Sequence, residues 1–140
     1  MAFASRFGDL FEAAAKVREN AHVPYSNFKV GAALLTEGGD VIAACNVENA
    51  AYPQAQCAEA SAIGSMVAKH GATRIVEALV IGGEAGDGML CSPCGGCRQR
   101  LREFASLETP VHICGPEGLR RTMTVDELLP LSFGPDNLDT

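Results

Sequence analysis

The sequence predicts an α/β protein in which a mixed β-sheet is covered by helices. Three observations carry this. The chain opens with an amphipathic helical stretch, two β-type runs joined by a short polar turn follow, and apolar runs then alternate with helical segments. Strands that alternate with helices usually run parallel through crossovers, whereas the hairpin must be antiparallel, so the sheet is mixed. No linker, internal repeat or low-complexity segment divides the 140 residues, and residues 1–140 read as a single domain. A chain of that size buries roughly two thirds of its unfolded surface, enough for a core without disulfides.

In order, Phe3, Phe7, Leu10, Phe11, Ala14 and Val17 recur at helical spacing, with Ser5 or Asp9 as candidate caps and Pro24 beyond the end. Phe28 to Leu35 and Val41 to Val47 are the two strands of the hairpin, turning at Glu37-Gly38-Gly39-Asp40. After a polar loop interrupted by Pro53, Cys57 to His70 form a helix of small residues that ends at Gly71. Ile75 to Gly83 has the apolar character of a strand buried on both faces, although its single Glu77 indicates that its first half is not wholly enclosed. A glycine-rich loop follows. The next helix starts at Pro93 or Cys94 and aligns Cys97, Leu101 and Phe104 on one stripe. Val111 to Cys114 and a weaker run near Arg120 to Met123 are short strands, Thr124-Val125-Asp126-Glu127 is a capping box, and the acidic tail is irregular.

A net charge of −6 and a pI near 5.0 argue against a nucleic-acid partner, which needs clustered Lys and Arg, and disfavour a deaminase acting on nucleic acid. Arg6, Asp9, Glu12, Lys16 and Arg18 break up the start of the chain, so neither a signal-peptide core nor a membrane span is expected there. The expected location is the cytoplasm, the expected partner a small molecule. In a reducing compartment the six cysteines point to metal or catalytic chemistry rather than disulfides.

Cys94 and Cys97 form a CxxC, Cys57 is a third cysteine far upstream, and Glu59 follows it by two residues. This pattern reads as a three-thiolate zinc site with an acid/base beside it, because three protein ligands leave a fourth tetrahedral position for water. Side chains in a helix's first turn lean toward its N-terminal end, so Cys57 and Glu59 can address one ion there. Cys94 and Cys97 do the same from a second helix start, and both dipoles favour thiolates. Zinc lowers the pKa of its water to roughly 7, and Glu59 would carry protons for a hydrolytic deamination. The residues alone also permit a closed site in which Cys91 joins Cys57, Cys94 and Cys97, or an iron–sulfur cluster aided by Cys114. Cys45 and Cys114 otherwise read as small buried hydrophobes, and His22, His70 and His112 lack a ligand's spacing. Asn46 and Glu48 suit a turn, and Phe28 and Phe133 suit a core.

Five ordered blocks change that balance: Pro24-Tyr25-Ser26-Asn27-Phe28 with Val30-Gly31-Ala32-Ala33-Leu34; Asn46-Val47-Glu48-Asn49-Ala50 with Tyr52-Pro53; Cys57-Ala58-Glu59; Pro93-Cys94-Gly95-Gly96-Cys97-Arg98-Gln99; and Glu127-Leu128-Leu129-Pro130 with Ser132-Phe133-Gly134-Pro135. Together they resemble the small, homotetrameric, zinc-dependent cytidine deaminases. The resemblance implies a three-layer α/β/α fold with a five-stranded mixed sheet and one Zn2+ per subunit on Cys57, Cys94 and Cys97. It implies deamination of cytidine and 2′-deoxycytidine to the uridine nucleosides and ammonia, in pyrimidine salvage, with zinc-bound hydroxide attacking C4 and Glu59 shuttling protons. The Ala58 N–H would meet the pyrimidine carbonyl, Phe28 the base, and Asn46 and Glu48 the ribose. A neighbouring subunit would add Ala50, Tyr52 and Phe133.

One position departs from the family pattern: Ala60 stands where Arg commonly follows the catalytic Glu. Zinc with three thiolates carries a formal charge of −1, so compensation is expected from Arg98, Arg102 or the two helix dipoles. Deamination of another aminopyrimidine nucleoside such as blasticidin S, whose deaminases also lack that Arg, is the alternative within the enzyme class. A non-catalytic zinc-stabilised module is the alternative outside it.

Overall fold

The computed structural model describes residues 4–138. Helix α1 spans Phe7–Arg18, strands β1 and β2 span Gly31–Thr36 and Val41–Cys45, and helix α2 spans Ala58–His70. Strand β3 (Ile75–Ile81), helix α3 (Gly95–Phe104), strands β4 (Pro110–Gly115) and β5 (Gly118–Thr124) and the short helix α4 (Val125–Leu128) follow. The strands form one five-stranded sheet in the order β2-β1-β3-β4-β5. Only β3 and β4, the pair joined through α3, run parallel; the other neighbours are antiparallel. The sheet is therefore mixed, as the element order predicts.

Period-2 alternation divides the strands between two cores. Leu34, Ile42, Ala78 and Val111 face α2 and α3, where they meet Ala62, Ile63, Met66 and Leu101. Ala33, Leu35, Leu79, Ile81 and Cys114 face the other way, against Leu10 and Ala14 of α1. Helices on both faces make three layers. Gly31 lets α1 approach closely, because a Cβ there would collide with the Ala14 carbonyl. Gly71, at φ +71°, ends α2 in the left-handed region that a side chain resists.

Of the two expected caps, Ser5 engages the first N–H of α1 from one position before the N-cap, and Asp9 does not cap. The N-cap is Arg6, which makes no side-chain cap bond; the Ser5 hydroxyl accepts from the Phe7 N–H at 3.3 Å, and Asp9 pairs with Arg6. Phe3, expected on the helix's apolar stripe, lies outside the described residues, as do the last two residues of the acidic tail. The rest of that tail is more ordered than expected, with a 3₁₀ turn over Pro135–Leu138. The capping box at Thr124 and Glu127 forms with both of its bonds.

The first half of β3 is not wholly enclosed, but the half-buried residue there is Val76; Glu77, expected to mark the opening, is only 3% exposed. Its carboxylate accepts from the Ser5 hydroxyl, the Arg6 N–H and His112 Nε2, and His112 Nδ1 in turn meets the Thr122 hydroxyl. Burial alone would raise the Glu77 pKa, but the bonds from Arg6, His112 and Ser5 outweigh it and hold the group below its ordinary value. The network ties the segment before α1 to β3, β4 and β5. A carboxylate with a depressed folded pKa adds stability above its unfolded value, and that stability disappears as pH falls through the folded value. Glu77→Gln is therefore expected to lower the melting temperature at pH 7, with a gap to the parent that closes below about pH 4. Thermal melts across that range check this; a gap independent of pH would contradict it.

Candidate metal centre and active site

Helices α2 and α3 begin at residues that are themselves candidate ligands. Cys57 is the N-cap of α2 and Cys94 the N-cap of α3, both with extended backbone, and Cys97 lies in the first turn of α3. Beneath α2, Ala58 packs on Ala32 of β1 and Val80 of β3, and these small contacts let the helix start sit low on the sheet. The sulfurs of Cys57, Cys94 and Cys97 lie within 4.8 Å of one another. Tetrahedral zinc with Zn–S near 2.3 Å needs sulfurs about 3.8 Å apart, so a contraction of at most about 1 Å makes the set fit.

The chemistry of the donors fits as well. Burial, and then repulsion from Glu59 and the other two cysteines, pushes the Cys97 thiol well above its ordinary range. Partial burial of its sulfur also raises Cys57. Only Cys94, whose sulfur accepts the Cys97 N–H, is held low. Holding all three as thiolates at one point therefore requires a divalent cation. Cys91, the fourth ligand of the closed-site alternative, is not part of this group among the described residues. Its thiol lines the same cleft, and burial raises it to about 11.

Glu59 sits one residue into α2, 5% exposed, and burial lifts its carboxyl above the usual range against smaller opposing effects of its own N–H and Arg100. It lines a cleft of about 150 Å3 with Val30, Asn46, Ala58, Cys91 and Ser92, next to Cys57 and Cys94. A second cleft of about 320 Å3 is lined by Tyr25, Ser26, Glu48, Asn49, Tyr52 and Ala55.

Comparison with known proteins places this geometry. The family model "Cytidine and deoxycytidylate deaminase zinc-binding region" matches residues 6–113. The chain belongs to that family. A cytidine deaminase of Sporosarcina psychrophila is 42% identical over 123 residues, 88% of each chain. One from Halalkalibacterium halodurans is 38% identical over 130 residues, 93% of this chain and 96% of that one. The crystal structure of cytidine deaminase from Burkholderia pseudomallei superposes with a TM-score of 0.81 at 39% identity, covering 93% of this chain and all of that one. The zinc-binding character of the family agrees with the cluster of Cys57, Cys94 and Cys97. No helix among the described residues is long and apolar enough to cross a membrane.

Within this family member, the other residues singled out in the sequence are distributed unevenly. Ala58 belongs to the first turn of α2, whose N–H groups have no acceptor within the helix. Asn46 lines the cleft, but both ends of its amide are engaged: Oδ1 accepts from the Val30 N–H and Nδ2 donates to the Phe28 carbonyl, each at 2.9 Å. It thereby fixes the irregular segment that carries Phe28; β1 begins only at Gly31, later than the expected start at Phe28. Glu48 accepts from the N–H groups of Tyr25 and Ser26 at 2.9 and 3.1 Å and from the Ser26 hydroxyl, and the Ser26 hydroxyl bond first among these keeps its carboxyl below the usual value. Phe28 borders a separate cleft with Arg18, Lys29 and Gly83. Ala50 is exposed, and Tyr52 and Phe133 are 71% and 57% exposed.

The cations expected to offset the thiolates are placed differently. Arg98 donates to the carbonyls of Pro93 and Leu128 and to Ser92, while Arg102 donates to Ser132 and Asp136. Both hold loops together. Arg100 is the arginine that reaches the cluster, with Nη1 at 3.8 Å from Cys97 Sγ. The run Arg98-x-Arg100-x-Arg102 offers three cations along one helix, and side-chain direction tells them apart. If Cys97 is a ligand and Cys91 is not, Cys97→Ser should lower zinc content from one per chain to near none, while Cys91→Ser should retain it. Metal analysis of the two purified variants checks this.

Proposed function

We propose that residues 1–140 form one deaminase domain that hydrolyses cytidine and 2′-deoxycytidine to uridine and 2′-deoxyuridine, releasing ammonia, in cytoplasmic pyrimidine salvage. The observation that carries the reading is a buried carboxyl, Glu59, at a helix start where three cysteine sulfurs meet. Cys57, Cys94 and Cys97 would hold one zinc ion per subunit, which when bound supplies a Lewis acid that makes water nucleophilic near neutral pH.

Glu59 then moves the protons. It takes one from the attacking water and delivers it to ring nitrogen N3 as the C4–O bond forms. It takes a second from the new hydroxyl and delivers it to the departing amine as the C4–N bond breaks, leaving uridine and ammonia. A carboxyl lifted by burial suits this cycle, because it accepts a proton more readily than an ordinary carboxylate and can still return it. The Ala58 N–H, an orphan donor of the α2 first turn, would hold the pyrimidine carbonyl. Phe28 would lie against the base, and Asn46 and Glu48 would hold the ribose hydroxyls.

A homotetramer follows from the same reading. The cleft beside Glu59, at about 150 Å3, is smaller than the roughly 300 Å3 typical of a complete ligand pocket. Ala50, Tyr52 and Phe133, exposed in the single chain, would finish the pocket of a neighbouring copy.

Glu59→Gln keeps the shape and removes the proton carrier. It is expected to lower kcat for cytidine by about 10²–10⁴-fold with zinc content unchanged. A parent protein without turnover of cytidine would refute the reading, and a variant as fast as the parent would refute the role of Glu59.

A further inference from the structure

A divalent zinc ion on three thiolates leaves a formal charge of −1, and an ionised Glu59 adds to it. Helix α2 brings no cation to its first turn, where Glu59 is the charged residue and Ala60 follows. Excess negative charge weakens the hold on each further thiolate, so a cation placed close by favours the loaded centre.

Arg98 and Arg102 are committed elsewhere. Arg98 closes on the Pro93 carbonyl at 2.6 Å, the Leu128 carbonyl at 2.7 Å and the Ser92 hydroxyl at 3.1 Å. Arg102 pairs with Asp136 at 2.6 Å and is almost wholly buried beneath the C-terminal segment. Arg100 has no carboxylate partner among the ion pairs of the described residues. Its guanidinium approaches Cys97 Sγ at 3.8 Å.

That approach has a local cause. Residues three apart share a helix face, and side chains lean toward the N-terminal end, so Arg100 reaches back over the turn that carries Cys97. Gly96 leaves the path open: a Cβ there would stand 3.0 Å from Arg100 Nη1. The same charge opposes the burial that lifts Glu59.

We propose that Arg100 is the outer cation of the three-cysteine centre, a positioning residue that acts through Cys97 to balance thiolate charge and strengthen zinc retention. Its role rests on the zinc reading above. The guanidinium needs no coordination bond to the ion. It stabilises the Cys97 thiolate by a charge-assisted N–H···S contact and lowers the net negative charge felt by the other two ligands. Because the residue is exposed, the effect is open to screening by salt.

The test measures zinc affinity by competition with a chelating dye in the reconstituted parent, Arg100→Gln, Arg100→Lys and Arg121→Gln. Arg121, exposed on β5, removes the same charge from another part of the surface. Circular dichroism confirms the fold of each. Arg100→Gln is expected to bind zinc about 10-fold more weakly, a typical effect of an outer partner. Arg100→Lys should retain most of the affinity and Arg121→Gln all of it, and the deficit of Arg100→Gln should shrink at high salt. Equal affinity in parent and Arg100→Gln would overturn the role, as would equal losses in Arg100→Gln and Arg121→Gln, or a lysine variant as weak as the glutamine one. A parent that binds no zinc would instead overturn the functional reading itself.

Discussion

Two helices must begin at the same point in space, and most of the structure can be understood as meeting that requirement. Cys57 caps α2, Cys94 caps α3, and their sulfurs and that of Cys97 come within 4.8 Å. Helix α2 reaches the point because Ala58 settles on Ala32 and Val80, where larger side chains would lift it from the sheet. Helix α3 reaches it because it forms the crossover between the parallel strands β3 and β4. The parallel pair is thus the topological feature that delivers the CxxC to the upstream cysteine and its glutamate.

Convergence concentrates charge as well as ligands. The helix starts supply N–H groups and positive dipole ends, one of which is used directly when the Cys97 N–H bonds to Cys94 sulfur. Burial acts in the opposite sense, raising Cys57, Cys97 and Glu59. A site that must keep three thiolates and still hold a proton on a nearby carboxyl needs both influences, one for the metal and one for the acid. The loops beside it are held by interactions that leave the cleft free: Arg98 ties the segment before Cys94 to α4, and Asn46 ties the chain end of β2 to Phe28 and Val30.

Much of this was legible in the chain because its signals are local. The hairpin turn, the Thr124–Glu127 capping box and the stop at Gly71 each depend on residues a few positions apart, and all three form. The CxxC and the distant Cys57-Ala58-Glu59 were legible because metal chemistry restricts the residue types, even with 36 residues of sequence between Cys57 and Cys94. The burial of Glu77 is not visible in the chain because its partners, Ser5, Arg6 and His112, come from elsewhere in the sequence, and a lone carboxylate in an apolar run ordinarily signals exposure. Arg100 was missed among its neighbours because composition cannot show which way a side chain points. Asn46 and Glu48 read by residue type as turn residues, and their side chains do bond backbone, although their partners lie in the segment from Tyr25 to Val30 rather than in their own turn.

The central claim is that the three sulfurs and Glu59 form a single zinc-dependent centre acting on cytidine. The most direct measurement follows cytidine loss by ultraviolet absorbance while zinc is stripped by a chelator and then restored, with metal content determined in each sample. The account predicts that the rate falls in proportion to zinc content and returns when zinc is added back. Cytidine turnover that survives complete, verified zinc removal would contradict it.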